Sequence, residues 1–236
     1  MCIKLLIAPL YVLFVCVRLF QPTYKPTKSP TKIPTKAPTK KPTFQPTNSP
    51  SNQPTKAAGS GPQFALYDSQ LSVPACSNVG ISCDSGQSLI LGRAGHGPEP
   101  NTPNSLDSCE DGGSGSFHDD ESIDRVIIKT NNGSNLSPGV AVTIEATVYA
   151  WDDGSSDYAD FYYASDASNP NWVFIATKAP AGGGLRTLTT QYNLPSGGGS
   201  MQAVRVNFRY KGTRGSTSVC MNGNYNDVDD LAFKVA

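Results

Sequence analysis

Carboxylates gather at three places in the second half of the chain: Asp119, Asp120 and Glu121 with Asp124; Asp152 and Asp153 with Asp157 and Asp160; and Asp227 with Asp229 and Asp230. A hard cation such as Ca²⁺ takes about six to eight oxygens from carboxylates and loop carbonyls. None of the clusters has the spacing of an EF-hand loop. A calcium site is therefore expected to be assembled from separate strands, with Asp119, Asp120, Glu121, Asp124, Asp229 and Asp230 as its ligands. One ion there relieves repulsion among several acids. The middle cluster, from Trp151 to Asp157, reads as a hairpin loop. Solvated turn aspartates are the plain alternative to calcium.

Aromatic side chains form the second set with chemical capacity. Trp151, Tyr158, Tyr162, Trp172 and Tyr225 lie on or near expected strand ends and loops. Sugar rings stack their C–H faces on exposed aromatic planes while Asp and Asn bond their hydroxyls, so these five are the expected ligand-binding residues. The alternative is that they are core or cross-strand partners, the commoner fate of strand aromatics. Catalysis has weaker support. His96 and His118 are the only histidines, both in the glycine-rich segment 92–118, and neither a G-x-S-x-G elbow nor an H-E-x-x-H pair is present. Carboxylate pairs for glycoside cleavage cannot be read from spacing. No catalytic residue is expected, and a small secreted hydrolase stands only as an alternative class.

Several elements must carry these residues. Residues 1–20 have a basic Lys4 and a 13-residue apolar run, Leu5 to Val17. That is the size of a signal-peptide core and short of the ~20 residues that span a bilayer. An uncleaved signal anchor is the rival reading. Residues 21–61 are a repeat linker, with proline at every fourth position from Pro22 to Pro54 and threonine after all but one of them. Proline fixes φ and removes a donor, so a polyproline-II stalk is expected, reaching about 100 Å at that helix's rise. The stalk from 21 to 56 holds seven lysines and no acid, whereas residues 57–236 hold 10 basic and 19 acidic residues, a net charge of −9. An acidic domain of this kind is a poor nucleic-acid partner and a plausible home for cations.

Residues 62–236 alternate short β-rich runs with Gly, Asn, Asp, Ser and Pro clusters and show no helical periodicity. In Val140–Trp151, Val142, Ile144, Ala146 and Val148 share one face. In Gln202–Tyr210, Val204, Val206 and Phe208 face inward and Arg205, Asn207 and Arg209 outward. Seven further strands are expected at Gln63–Tyr67, Leu89–Leu91, Ile123–Thr130, Tyr158–Ala164, Trp172–Thr177, Arg186–Tyr192 and Asp230–Val235. The fold class is all-β: a two-sheet antiparallel sandwich, jelly-roll-like, with its first and last strands side by side. Cys76, Cys83, Cys109 and Cys220 allow three disulfide pairings. Cys76–Cys83 with Cys109–Cys220 is favoured, and zinc ligation is the other use of these thiols. Asn132 and Asn135 each begin an N-x-Ser glycosylation sequon.

The run Cys83-Asp-Ser-Gly86, Gly92-Arg93, Gly97-Pro-Glu99, Asn101-Thr-Pro-Asn104, Cys109, Asp111-Gly112 and Asp119-Asp-Glu-Ser-Ile-Asp-Arg125 resembles a β-sandwich module appended to secreted bacterial peptidases and other extracellular proteins. Val228-Asp-Asp-Leu-Ala-Phe233 is similar to the last strand of jelly-roll adhesion and carbohydrate-binding modules, and the stalk resembles linkers of secreted algal surface proteins. The resemblance covers residues 64–236. It implies an accessory domain for targeting, adhesion or anchoring, with Asp229 or Asp230 helping to hold calcium. The expectation is an extracellular, secreted or cell-surface, non-catalytic binding module, calcium-stabilised and directed at wall or matrix polysaccharide. A structural surface protein whose basic stalk binds the matrix is the alternative. No partner nucleic acid is expected, and no stable membrane span if the signal is cleaved.

Overall fold

The computed structural model describes residues 2–7, 11–16, 60–212, 219–220 and 223–236; the expected stalk lies outside them. The chain divides into two units, Met1–Asn52 and Gln53–Ala236. In the first, β1 (Cys2–Ile7) and β2 (Tyr11–Cys16) pair antiparallel. Among the described residues no helix is long and apolar enough to cross a membrane.

The second unit is an all-β sandwich. Eleven strands run from β3 (Pro62–Phe64), β4 (Leu66–Asp68), β5 (Val73–Cys76) and β6 (Ser82–Asp84) to β7 (Ser122–Thr130), β8 (Ala141–Ala150), β9 (Asp157–Ala164) and β10 (Val173–Lys178), then β11 (Gly184–Asn193), β12 (Met201–Tyr210) and β13 (Asp227–Lys234). One sheet has the order β10-β9-β12-β13-β5-β4 and the other β11-β8-β7-β6-β3. The period-two pattern works as expected: Val142, Ile144, Ala146 and Val148 of β8 meet Val204, Val206 and Phe208 of β12 in one buried apolar cluster with Leu231 and Phe233 of β13. Each such side chain contributes about 1.5–3 kcal/mol by leaving water.

Four details differ from the sequence reading. The expected strand Gln63–Tyr67 is two short strands in different sheets, because the chain crosses over at buried Ala65. Leu89–Leu91 is a turn, with the Leu91 N–H donating to the Gln87 carbonyl (2.9 Å). Its apolar residues serve the core, where Ile90 is fully buried. The last strand lies beside β5, in parallel, and not beside the first strand, which sits at the edge of the other sheet. Finally, Arg205, Asn207 and Arg209 face away from the sandwich core as expected, yet all three are buried. Asp107 and Cys109 of segment 85–121, which has no strand of its own, meet Arg205 together with Trp172, while Asp160 and Tyr158 of β9 cover Arg209.

Segment 85–121 also completes the edge of β13. β5 pairs with β13 only at Ala232 and Phe233. Farther along, the N–H groups of Asp230, Gly112 and Ser114 donate to the carbonyls of Asn104, Asn226 and Asn224 (2.9, 2.7 and 3.0 Å). At Gly112 a Cβ would lie 2.3 Å from the Asn224 carbonyl oxygen, so this approach requires glycine.

Both favoured disulfides are present, Cys76–Cys83 and Cys109–Cys220. The first joins β5 to β6 and so ties one sheet to the other. The second ties segment 85–121 to the stretch preceding β13. With all four thiols so paired, they are not zinc ligands. Replacing Cys76 and Cys83 together by Ala is expected to cost about 2–4 kcal/mol, measured by urea unfolding of the full chain. A loss under about 1 kcal/mol would mean that the apolar core fixes the sheets without the staple.

Candidate functional site

The alternation of β13 determines where its acids go. Asp227 and Asp229 share the phase of Leu231 and Phe233 and so point between the sheets, at the end of the sandwich; Asp230 points to the outer face. Asp227 meets two carboxylates of segment 85–121, and oxygens of Glu99, Asp111 and Asp227 all lie within 4.8 Å of one another. The Asp227 Oδ2 accepts from the Ile123 N–H (2.5 Å). Asp111 accepts from the N–H groups of Val228 (3.0 Å) and Ala94 (3.1 Å), which fixes both of its oxygens. Asn104 donates to Glu99 (2.5 Å) and to the Leu89 carbonyl (3.1 Å).

Several oxygens in this place have no donor. Among the described residues, no hydrogen bond reaches either oxygen of Asp229, nor Glu99 Oε2 or Asn104 Oδ1, and Asp229 is 0 % exposed, while the Asp111 and Asp227 carboxyl groups interact with each other. Buried polar atoms in folded proteins are nearly always paired, so oxygens left without donors mark a place for a positive group. The buried guanidinium of Arg93 donates to the Ser114 carbonyl and acts electrostatically on Asp111 and Asp227. One such charge does not balance four carboxylates. Burial first, and then mutual repulsion, pushes the Glu99 carboxyl up to about 8 and raises Asp227 and Asp229 well above the usual carboxylate range. Oxygens on opposite sides of a Ca²⁺-sized ion stand about 4.6–5.2 Å apart, so the spacing of this trio suits a hard divalent cation.

A second group of acids lies at the same end. Glu121 immediately precedes β7 and Asp157 opens β9; both are buried, and their carboxyl groups interact with each other. Asp157 Oδ2 also accepts from the Trp151 N–H (2.8 Å). Burial, reinforced by Asp157 and Asp120, pushes the Glu121 carboxyl up to about 8. Beside this pair opens a cavity of about 140 Å³ lined by Asp120, Glu121, Trp151, Tyr210 and Tyr225. The rings of Trp151 and Tyr210 stand at 87° with centroids 5.5 Å apart, and those of Tyr210 and Tyr225 at 81° and 5.9 Å.

The residues singled out in the sequence thus scatter. None of the six acids expected to hold calcium is in the trio, though Asp229 lies near enough to feel the charges of all three. Asp119 is exposed, and Asp120 accepts from the Ser116 N–H (2.7 Å). Glu121 is paired with Asp157. Asp124, at a bulge in β7, accepts from the Ser122 hydroxyl (3.0 Å) and meets His118 Nε2 (2.8 Å). Asp230 receives Arg205 through two bonds of 2.8 Å. The bond between the stretches that carry the first and third acidic clusters runs from the Ile123 N–H to Asp227 and not between their acids, and the partners of Asp227 come from segment 85–121.

Of the expected ligand aromatics, only Trp151 and Tyr225 share the cavity. Trp172 covers Arg205, whose guanidinium carbon is 4.3 Å from its ring centroid, and donates to Asp107 (3.0 Å). Tyr158 stacks on Arg209 (4.9 Å). Tyr162 is 1 % exposed, too buried to offer a face to a ligand, and packs edge-on against Phe174. Asn132 is exposed in the β7–β8 turn, while Asn135 is half-buried and accepts from the Ser60 N–H (2.7 Å). Sequence reasoning assigned no site role to Glu99, Asp111 and Tyr210, and named Asp227 and Asp157 as cluster members without choosing them as ligands. The available signal was the phase of Asp227 and Asp229, acids at inward positions of a strand that ends in Leu231 and Phe233.

Among the described residues, the polar side chain bonded to His118 is Asp124. The His118 ring is stacked between Phe117 (3.9 Å) and Tyr149 (4.7 Å), and Asp124 stands between it and Ser122. A hydrolytic triad needs the histidine in the middle, on the hydroxyl.

Residues 21–58 match the family described as the PT disordered repeat, which covers the Pro-Thr-Lys stalk. No curated protein matches the chain.

The Glu121–Asp157 pair sets a pH dependence. Both carboxyls titrate higher in the fold than in the unfolded chain. The folded state therefore holds protons that the unfolded state has released, and stability falls as pH rises from ~4.5 to ~8. Glu121→Gln is expected to flatten that part of the profile, read from urea midpoints across the range. An unchanged slope would place its origin elsewhere.

Proposed function

We propose that residues 62–236 form the non-catalytic binding module of an extracellular protein, holding a wall or matrix polysaccharide at the sandwich end. The observation that carries this reading is the cavity itself, where three aromatic rings and two carboxylates converge beside a rigid β-framework. Aromatic faces suit the C–H faces of sugar rings and carboxylates accept from their hydroxyls. Calcium is the proposed structural cation, held by Glu99, Asp111, Asp227 and Asp229 with the side-chain oxygen of Asn104. The donorless oxygens and the spacing of the acids support it. Four disulfide-bonded cysteines and the Pro-Thr stalk fit an oxidising, extracellular setting, and the resemblance to accessory modules of secreted proteins points the same way.

Glycoside cleavage needs two carboxyl groups about 5 Å or more apart, on either side of the bond to be broken, whereas those of Glu121 and Asp157 interact directly, which favours binding over hydrolysis. The seven stalk lysines favour a second reading, a structural protein whose stalk adheres to an anionic matrix.

Two measurements test these readings. Calcium added to chelator-treated protein at about 100 times its Kd is expected to raise unfolding stability by about 2.7 kcal/mol, and Asp229→Asn to remove most of that gain. No rise would refute the cation cage. In a pull-down on insoluble wall polysaccharides, the chain lacking residues 21–56 is expected to bind as well as the full chain, and Tyr225→Ala to bind less. Loss of binding on removing the stalk would favour the structural reading.

A further inference from the structure

The three rings of the cavity do not form the flat platform that a neutral sugar face would lie on. They stand nearly perpendicular in sequence, Trp151 to Tyr210 and Tyr210 to Tyr225, and so present faces and edges around a compact volume. Ring faces carry negative electrostatic potential and so attract a compact cation. The other lining groups, Asp120 and Glu121, add to this. Both are carboxylic acids on the cavity wall. None of the described lining residues is basic. One ring already receives an ammonium group: the Lys211 Nζ lies 4.4 Å from the Tyr210 centroid. Beyond the cavity, residues 57–236 carry a net charge of −9, which repels uronate- or sulfate-bearing polymers and attracts cationic ones.

We infer that the cavity selects an amino sugar, a polysaccharide unit whose amine is free and protonated. The ammonium sits among the rings of Trp151, Tyr210 and Tyr225 with Asp120 as its nearest carboxylate, and the ring hydroxyls and C–H faces complete the contact. This rests on the polysaccharide reading above and narrows it: an acylated amine has no charge for the box to hold, and an acidic sugar meets two carboxylates.

The test is calorimetric titration of the full chain, calcium present, at pH 6. The probes are three β-1,4-linked tetrasaccharides: glucosamine, N-acetylglucosamine and glucose. The glucosamine oligomer is expected to bind about tenfold tighter than the other two, and to weaken as salt is raised. Trp151→Leu, which keeps apolar bulk, and Asp120→Asn should each weaken it about three- to tenfold, while Trp151→Phe, which keeps a ring face, stays near wild type. Trp151 is 38 % exposed, and circular dichroism of each variant confirms its fold. Equal binding of all three oligomers would overturn the inference and leave the polysaccharide reading standing. A Lys-Pro-Thr repeat peptide binding as tightly as the glucosamine oligomer would overturn the choice of sugar over protein amine. No binding of any oligomer by folded protein would overturn both.

Discussion

Glu99, Asp111, Asp227 and Asp229 are held together at the end of the sandwich, with the Arg93 guanidinium as the opposing charge, and much of the surrounding structure follows from that crowding. Two carboxylates 4.8 Å apart repel by roughly 3–4 kcal/mol at the effective dielectric of a protein site. Three such pairs amount to about 10 kcal/mol, comparable with the whole stability of a typical domain. The acids cannot all be ionised without a compensating charge. Either they hold protons, as the upward displacement of Glu99 to about 8 indicates, or they hold a cation. Desolvation makes the same choice sharper, because Asp229 is fully buried and has no donor to share its charge.

The outer face of the six-stranded sheet solves the opposite problem by pairing. Arg205 lies directly across from Asp230 and is bonded to both of its oxygens, with Asp107 on its other edge and Trp172 over its plane. Arg209 has Asp160 at 2.7 Å and Tyr158 over it. Adjacent residues of one strand, Asp229 and Asp230, therefore meet contrasting environments because strand side chains alternate. One is neutralised by a guanidinium and the other is left to a proton or an ion. Buried pairs of the Arg205–Asp230 kind add little net stability, but loss of either partner strands a charge and is costly. That cost holds segment 85–121 in one register, since Asp107 and Cys109 belong to it.

The sandwich was legible because its long strands carry clean alternation: β8 and β12 place the same residues inward in sequence and in structure. The even number of cysteines in the domain pointed to two disulfides, and the favoured one of the three pairings is the one present. The short strands were not legible. β5 and β6 have four and three residues, and β5 contains Pro74, so neither shows a period. The site was less legible than the fold, for a physical reason. Acids adjacent in sequence were taken as one cluster, yet strand alternation and a bulge send Asp120, Glu121 and Asp124 to three different partners. The residues that do meet come from segment 85–121 and β13, more than a hundred positions apart, and in a segment without secondary structure no periodicity indicates which side chains turn inward.

Segment 85–121 also couples the two halves of the proposed site. Glu99 and Asp111 reach the cage from its middle, and its last residues, Asp120 and Glu121, line the aromatic cavity. Between them, Arg93 bonds the Ser114 carbonyl, and Asp120 bonds the Ser116 N–H. On the proposed reading, a cation at Glu99 and Asp111 would restrain the same stretch of backbone that places the cavity's carboxylates, and a ligand that needs those carboxylates in position would bind more tightly to the restrained form. The coupling is reciprocal, since a ligand favouring one arrangement of the segment raises the affinity of the cage in equal proportion. On the proposed reading, calcium acts through the loop without touching the sugar, and the acidic end of the sandwich serves as one site with two occupants.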